Sequence, residues 1–242
     1  MLRAALTVSI ATSYIAFGLW LDRYVDREQQ FLLGLLTTAV LGALLLLQPR
    51  VVRVQTLAVV GIATMGEVIG SLVWGVYSYR LHNLPAFVPP GHGLVYLTGL
   101  SLATLMARRP NVLLAVAAVG AVGWGVVGLT VLPAHDASGA LGCAFLLAVL
   151  LWTRRPVYAG VFLAVAALEL YGTAIGTWTW VAVVPGLGLP QGNPPSGAAS
   201  GYVVFDVLAL ALTASGASAL RRLHKRVPRA QPGPAEAPAS AA

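Results

Sequence analysis

The sequence predicts an all-α fold, a polytopic transmembrane bundle of about eight helices, and three observations carry that prediction. The 242 residues are 58 % hydrophobic, with a mean hydropathy of +0.81. Charged residues make up only 10 %, where a soluble domain needs roughly 25 % to wet its surface. Apolar runs recur along the whole chain at about 20 residues each, the length that crosses ~30 Å of hydrocarbon. No stretch reads as a strand, and in lipid the backbone has to satisfy its own N–H and C=O groups, which helices do. Soluble, disordered and fibrous classes are thereby excluded. A single cysteine, Cys143, excludes a disulfide framework and a thiolate metal cage; at its place in the sixth run it reads as a small packing residue.

The runs fall at 4–21, 31–49, 54–79, 91–107, 111–132, 138–153, 157–183 and 200–220, the sixth being short. The first starts after Arg3 like a signal peptide. It lacks a small-residue cleavage site and is followed at once by Asp22 and Arg23, so it reads as a retained helix. Eight spans put both termini on one side. The turns on that side hold Arg3, Arg50, Arg53, Arg108, Arg109, Arg154, Arg155, Arg221, Arg222, Lys225, Arg226 and Arg229; the other side holds Arg23, Arg27 and Arg80. A split of 12 to 3 makes both termini cytoplasmic by the positive-inside rule. It also accounts for the net charge of +7 without nucleic acid. The basic run Arg221 to Arg226 suits anionic headgroups. Residues 227–242, rich in Pro and Ala, read as a disordered cytoplasmic tail.

The spans divide into two halves, 1–109 and 110–226, that match in order. Glu67-Val68-Ile69-Gly70-Ser71 in span three resembles Glu169-Leu170-Tyr171-Gly172-Thr173 in span seven. Gly75-Val76-Tyr77-Ser78-Tyr79 then resembles Gly176-Thr177-Trp178-Thr179-Trp180. A Pro-Pro pair comes next in each half, at Pro89-Pro90 and at Pro194-Pro195, and after it Val95-Tyr96 or Gly201-Tyr202. Four helices per half give a parallel 4+4 internal repeat about an axis along the membrane normal.

Of only eight acidic residues, Glu67, Glu169 and Asp206 lie inside apolar runs. A carboxylate at a helix centre costs ~2.5–3.5 kcal/mol even on insertion scales, so such residues face the bundle and mark a polar pathway or site. Counted from Arg53 and Arg155, both glutamates sit about 21 Å from the arginine-rich end, at matched depth beyond the midplane. Helical spacing sets Glu67, Gly70, Ser71, Trp74 and Ser78 on one stripe, and Glu169, Gly172, Thr173, Gly176 and Trp180 on its counterpart. Small residues there allow close helix approach, and hydroxyls bond the carboxyls. The aromatics extend each stripe toward the outer surface. One reading makes the glutamates protonated packing groups beneath an interfacial aromatic belt. The other makes them the walls of a shared cavity.

His92, at the start of span four, is kept neutral by the helix N-terminus as a base or donor, or it simply bonds a loop carbonyl. Asp206, one to two turns into span eight, completes a Glu67–His92–Glu169–Asp206 cluster. Those residue types suit a divalent metal, but with no HxxxH, HExxH or ExxH spacing none is expected. The outer loops, 83–93 and 186–201, carry many prolines and glycines with almost no charge and should fold back on the bundle mouth. His135-Asp136 reads as a solvated turn. With no phosphate loop, nucleophile elbow, dinucleotide fingerprint or matched haem histidines, no cofactor is expected.

The run Glu67-x-x-Gly70, Gly75-x-Tyr77-x-Tyr79 and Val88-Pro89 resembles the signature of the bacterial and archaeal carotenoid biosynthesis membrane proteins, the bisanhydrobacterioruberin hydratase-like family. The resemblance implies a multi-pass protein of a bacterial plasma membrane that adds water across a terminal double bond of a long isoprenoid, with Glu67 as the acid. Three functions are open to the chain. The first is an isoprenoid hydratase or cyclase, with Glu67, Glu169, His92 and Asp206 as catalytic groups. Trp74, Tyr77, Tyr79, Trp178, Trp180, Tyr96 and Tyr202 would bind the substrate. The second is a proton-coupled transporter or flippase, and the third a structural subunit of a membrane complex. The expected partners are membrane lipids and a lipid-soluble substrate, and no nucleic acid.

Overall fold

A computed structural model describes residues 1–226, with side chains through Ser215; the side chains of the Arg221–Arg226 run and the expected tail at 227–242 lie outside the described residues. The described chain folds as eight α-helices, α1 Leu2–Asp22, α2 Arg27–Leu46, α3 Arg50–Glu67, α4 Val88–Leu105, α5 Pro110–Thr130, α6 Ala137–Thr153, α7 Pro156–Ala174 and α8 Ala198–Arg226. Prolines open α4, α5 and α7 at their first turns, where an N–H is not needed. Asp26 caps α2 in a reciprocal box with Gln29, which satisfies two orphan donors at once.

Six of these helices are long and apolar enough to cross a membrane: α1, α2, α3 with its continuation to Trp74, α5, α7 and α8. Eight spans were expected, and α4 and α6 are the two that fall short. α6 is an apolar helix of only 17 residues. α4 begins Val-Pro-Pro-Gly-His and is buried without interruption from His92 to Gly99. It packs against α1, α2, α3 and α7. Enclosed by protein rather than lipid, its prolines, glycines and histidine can be satisfied by neighbouring helices. α8 lies similarly against α3, α6 and α7.

The third and seventh runs end earlier than their apolar length suggests, and here the all-helical expectation is corrected. α3 passes at Glu67 into a π-helical segment, Val68–Trp74, which Gly75 stops at φ +74°. α7 stops at Ala174, and Gly176 stands just beyond it at φ +79°. Both glycines occupy the left-handed region that side chains avoid, and both reverse the chain. Past each glycine the backbone is extended rather than helical. Tyr77–Tyr79 forms strand β1 and Trp178–Trp180 forms strand β2, paired antiparallel with Tyr77 opposite Trp180, Ser78 opposite Thr179 and Tyr79 opposite Trp178. The Tyr-Ser-Tyr and Trp-Thr-Trp alternation is the period-two signal of a strand, masked by its attachment to long apolar runs.

Candidate functional site

The chain reversals at Gly75 and Gly176 bring four aromatic side chains back over the glutamates they were expected to leave behind. Tyr77 and Tyr79 each donate a hydroxyl hydrogen bond to Oε2 of Glu67 at 2.6 Å. Trp178 and Trp180 each donate an indole N–H to Oε2 of Glu169, at 2.9 and 3.1 Å. The two half-sites therefore match in kind, one carboxyl capped by two aromatic donors spaced two residues apart. The small residues on the helix stripes serve these rings rather than a neighbouring helix. A Cβ at Gly70 would meet Tyr77, and one at Gly172 would meet the Trp178 ring. Burial and the adjacent Glu67 charge hold both tyrosine hydroxyls above their ordinary value, so they remain donors.

Glu67 has a third partner. His92 Nε2, from the second turn of α4, lies 3.0 Å from Glu67 Oε1, with both groups buried. A proton on His92 Nε2 gives Glu67 three donors, the acceptor role of a carboxylate. Glu169 differs: both indoles converge on Oε2 and the Tyr202 hydroxyl adjoins the group.

These groups line one cavity of about 370 Å³, walled otherwise mainly by apolar side chains of α1, α2, α4 and α8, with the hydrogen-bonded Tyr14 and Thr37 hydroxyls among them. Of the residues singled out in the sequence, Glu67, Glu169, His92, Trp74, Tyr77, Tyr79, Trp178, Trp180 and Tyr202 reach it. Tyr202 and Phe205 stand against the His92 ring, with centroids 4.8 and 6.1 Å away. Two expected members do not reach it. Asp206 is buried elsewhere, one helical turn beyond Tyr202, with Oδ2 unpartnered among the described residues. Tyr96, one turn beyond His92, is also buried away from the cavity, its hydroxyl 3.4 Å from Gln55 Oε1. Each shares a helix face with a residue that does reach the cavity but lies one turn further along the axis, so the face was legible and the depth was not. Among the described residues no three His, Cys, Asp or Glu side chains converge as metal ligands.

The proline- and glycine-rich loops do fold back. Trp74 Nε1 donates to the Pro185 carbonyl and Gln191 Nε2 to that of Val76. Asp136, expected in a solvated turn, is instead 1 % exposed and accepts backbone hydrogen bonds from Gly139, Gly192 and Ser196. It latches the loop after β2 to the start of α6. Cys143 is buried beside it, its thiol donating to the Ser196 carbonyl. A second polar knot holds the other side, where the Gln30 side chain bridges Asp22 and Asn83 and Arg80 pairs with Asp22.

No family model matches the chain, and no curated protein or solved structure matches it. A helical bundle with several membrane-length apolar helices is consistent with an integral membrane protein.

Proposed function

We propose that this membrane protein is an isoprenoid hydratase or cyclase that works by protonating an alkene. The observation that carries the reading is a pair of buried glutamates with unlike partners facing one aromatic cavity. Groups of the same type in unlike surroundings divide acid and base roles. Glu169, held by two indole N–H groups on Oε2 and adjoined by the Tyr202 hydroxyl, serves as the acid. The alkene π electrons take that proton to form a C–H bond and leave a cation on the more substituted carbon. The faces of Trp180 and Tyr77, in ring contact at 4.5 Å, stabilise the cation. The Glu67 carboxylate supplies fixed negative charge beside it. In hydration, water adds to the cation and loses a proton to Glu67. In cyclisation, a second double bond of the same chain attacks, and Glu67 removes the proton. A cavity of about 370 Å³ is at the lower end of ligand pockets and suits the terminus of a long chain.

The likeness to the carotenoid hydratase-like signature at Glu67, Gly70, Gly75, Tyr77 and Tyr79 supports the same substrate class. The matched half-sites and the two-fold register of β1 with β2 support a parallel 4+4 duplication, and the 12-to-3 split of basic residues supports a plasma-membrane orientation with both termini in the cytoplasm. The matched carboxylates also favour a second reading, proton-coupled transport. A strand pair joining the halves argues against it, since rocking of one repeat on the other would have to break that pairing.

Glu67→Gln and Glu169→Gln test the proposal. Both should insert and fold normally, while isoprenoid product in cells expressing equal amounts falls by about 10²–10⁴-fold, the worth of a positioned acid or base. Wild-type product from both variants would reject it. Lost uptake of a solute with unchanged cell lipids would favour transport.

A further inference from the structure

A second cavity, of about 250 Å³, adjoins the first. α1 and α7 both pack on α4 but hardly on each other, and the cavity is the cleft left between them, with α4 as its floor. Small side chains keep it open, Ala16 on α1 and Ala164 and Ala167 on α7. Ile15, Val95 and Leu168 line both cavities, so what parts the two is one layer of aliphatic side chains. Ile15 and Leu168 are only partly buried. From that layer, Val95 to Thr98 on α4 and Leu168 back to Ala164 on α7 carry the cleft about one turn toward the arginine-rich end.

The hydroxyls of the cleft are already engaged. Thr12, Thr98 and Tyr171 donate to the carbonyls of Val8, Leu94 and Ala16, at 2.7, 2.8 and 3.1 Å. The Tyr171 bond ties α7 to α1 across the cleft. What is left to meet a ligand is hydrocarbon, which reads the shape and length of a chain rather than a head group.

We propose that the cleft holds the tail of the substrate. A linear isoprenoid seats its terminal double bond between the glutamates, crosses the layer of Ile15, Val95 and Leu168, and lays the following units between α1 and α7. The cleft thereby selects long linear isoprenoids over short ones. The inference rests on the isoprenoid reading of the first cavity.

Squalene and myrcene test it, because both end in the same dimethyl-substituted double bond and differ in length, six isoprene units against two. Each is titrated into the full chain at fixed detergent, with the emission of Trp178 and Trp180 beside Glu169 as the readout. The wild type should bind squalene more tightly than myrcene. Ala16→Leu and Ala167→Leu fill the cleft from positions exposed at the bundle surface. Each should weaken squalene by about tenfold, a typical cost of overpacking, and leave myrcene unchanged, which also shows that the variants fold. Unchanged squalene binding in both variants would overturn the proposal and leave the cleft to acyl chains of the bilayer. Equal loss of both hydrocarbons would overturn it as well, since the defect would not follow tail length. A wild type that binds neither would overturn this inference together with the isoprenoid reading. Squalene selection that follows the cleft, beside unaltered cell isoprenoids in the glutamine variants, would support the tail site and defeat the enzyme reading alone.

Discussion

Tyr79 shows what a single donor contributes when it reaches a buried carboxyl from a strand. Its hydroxyl is one of three donors to Glu67, and its ring is packed against Trp178. Tyr79→Phe keeps the ring and removes one hydrogen bond to a charged group, worth roughly 1.5–3 kcal/mol. The variant should lose about that much in detergent unfolding, with a normal far-UV spectrum. The raised position of both hydroxyls also makes stability depend on pH. The unfolded chain ionises its tyrosines near pH ~10, while the folded chain holds Tyr77 and Tyr79 neutral. Their contribution is therefore fully present below that pH and is lost as pH rises above it. Wild-type melting temperature should fall more steeply above pH ~10 than that of a Tyr77→Phe, Tyr79→Phe double variant. At this scale the sequence was most informative where residues are scarce. Glu67, Glu169 and His92 stood out because few polar groups interrupt the apolar runs. Asp136 did not, because a carboxylate in a Pro-Ala-His turn looks solvated until the distant loop that supplies Gly192 and Ser196 is in place.

The two turn glycines decide whether the aromatic donors point at the glutamates or away from them. Gly75 and Gly176 stand at φ +74° and +79°, and a Cβ at either would meet nothing within 4 Å. Substitution there is opposed by backbone conformation alone, at about 1–2 kcal/mol per residue. Gly75→Ala and Gly176→Ala should each destabilise by that amount in equilibrium unfolding. The corresponding Asn variants should lose less, since Asn tolerates the left-handed region. A cost near zero would mean that the reversals form without these residues. The two turns are not identical. Glu67 precedes Gly75 by eight residues and Glu169 precedes Gly176 by seven. The π-helical segment absorbs the extra one, as π-bulges do. Val76 N–H accordingly reaches back to Gly70 and Thr177 N–H to Gly172. Helical spacing carried on to Ser78 and Trp180 assumed an unbroken α-helix, which is why the ribbon was read as more stripe.

For the molecule as a whole, the cavity belongs to neither half alone, because Glu67 and His92 come from the first and Glu169 and Tyr202 from the second. The halves meet along α3 with α8, α4 with α7, and β1 with β2. Residues 1–109 and 110–242 expressed as separate chains should each be unstable. Co-expressed, they should copurify and recover the turnover proposed above. Copurification of neither would show that the short Arg108–Arg109 connection is needed for assembly. The orientation is checked by labelling on a Cys143→Ala background: Leu187→Cys, 60 % exposed in the loop after β2, should react from outside, and Arg109→Cys only after permeabilisation. Helical class and membrane character were legible because composition and apolar run length are properties of the chain alone. Which helices are enclosed was not, since enclosure depends on neighbours far apart in sequence.

The π-helical segment has one further consequence. None of its residues is buried, yet Ile69, Gly70 and Trp74 also line the cavity, and Ile69 and Trp74 are 52 % and 46 % exposed. For the isoprenoid substrate proposed above, this exposed wall would serve as a side door. With the ribbon and its loop lying over the top, a greasy substrate would arrive by two-dimensional diffusion within the leaflet. Turnover should then track the mole fraction of substrate in the membrane, falling when inert phospholipid is added at constant total volume. Bulk aqueous concentration would matter little.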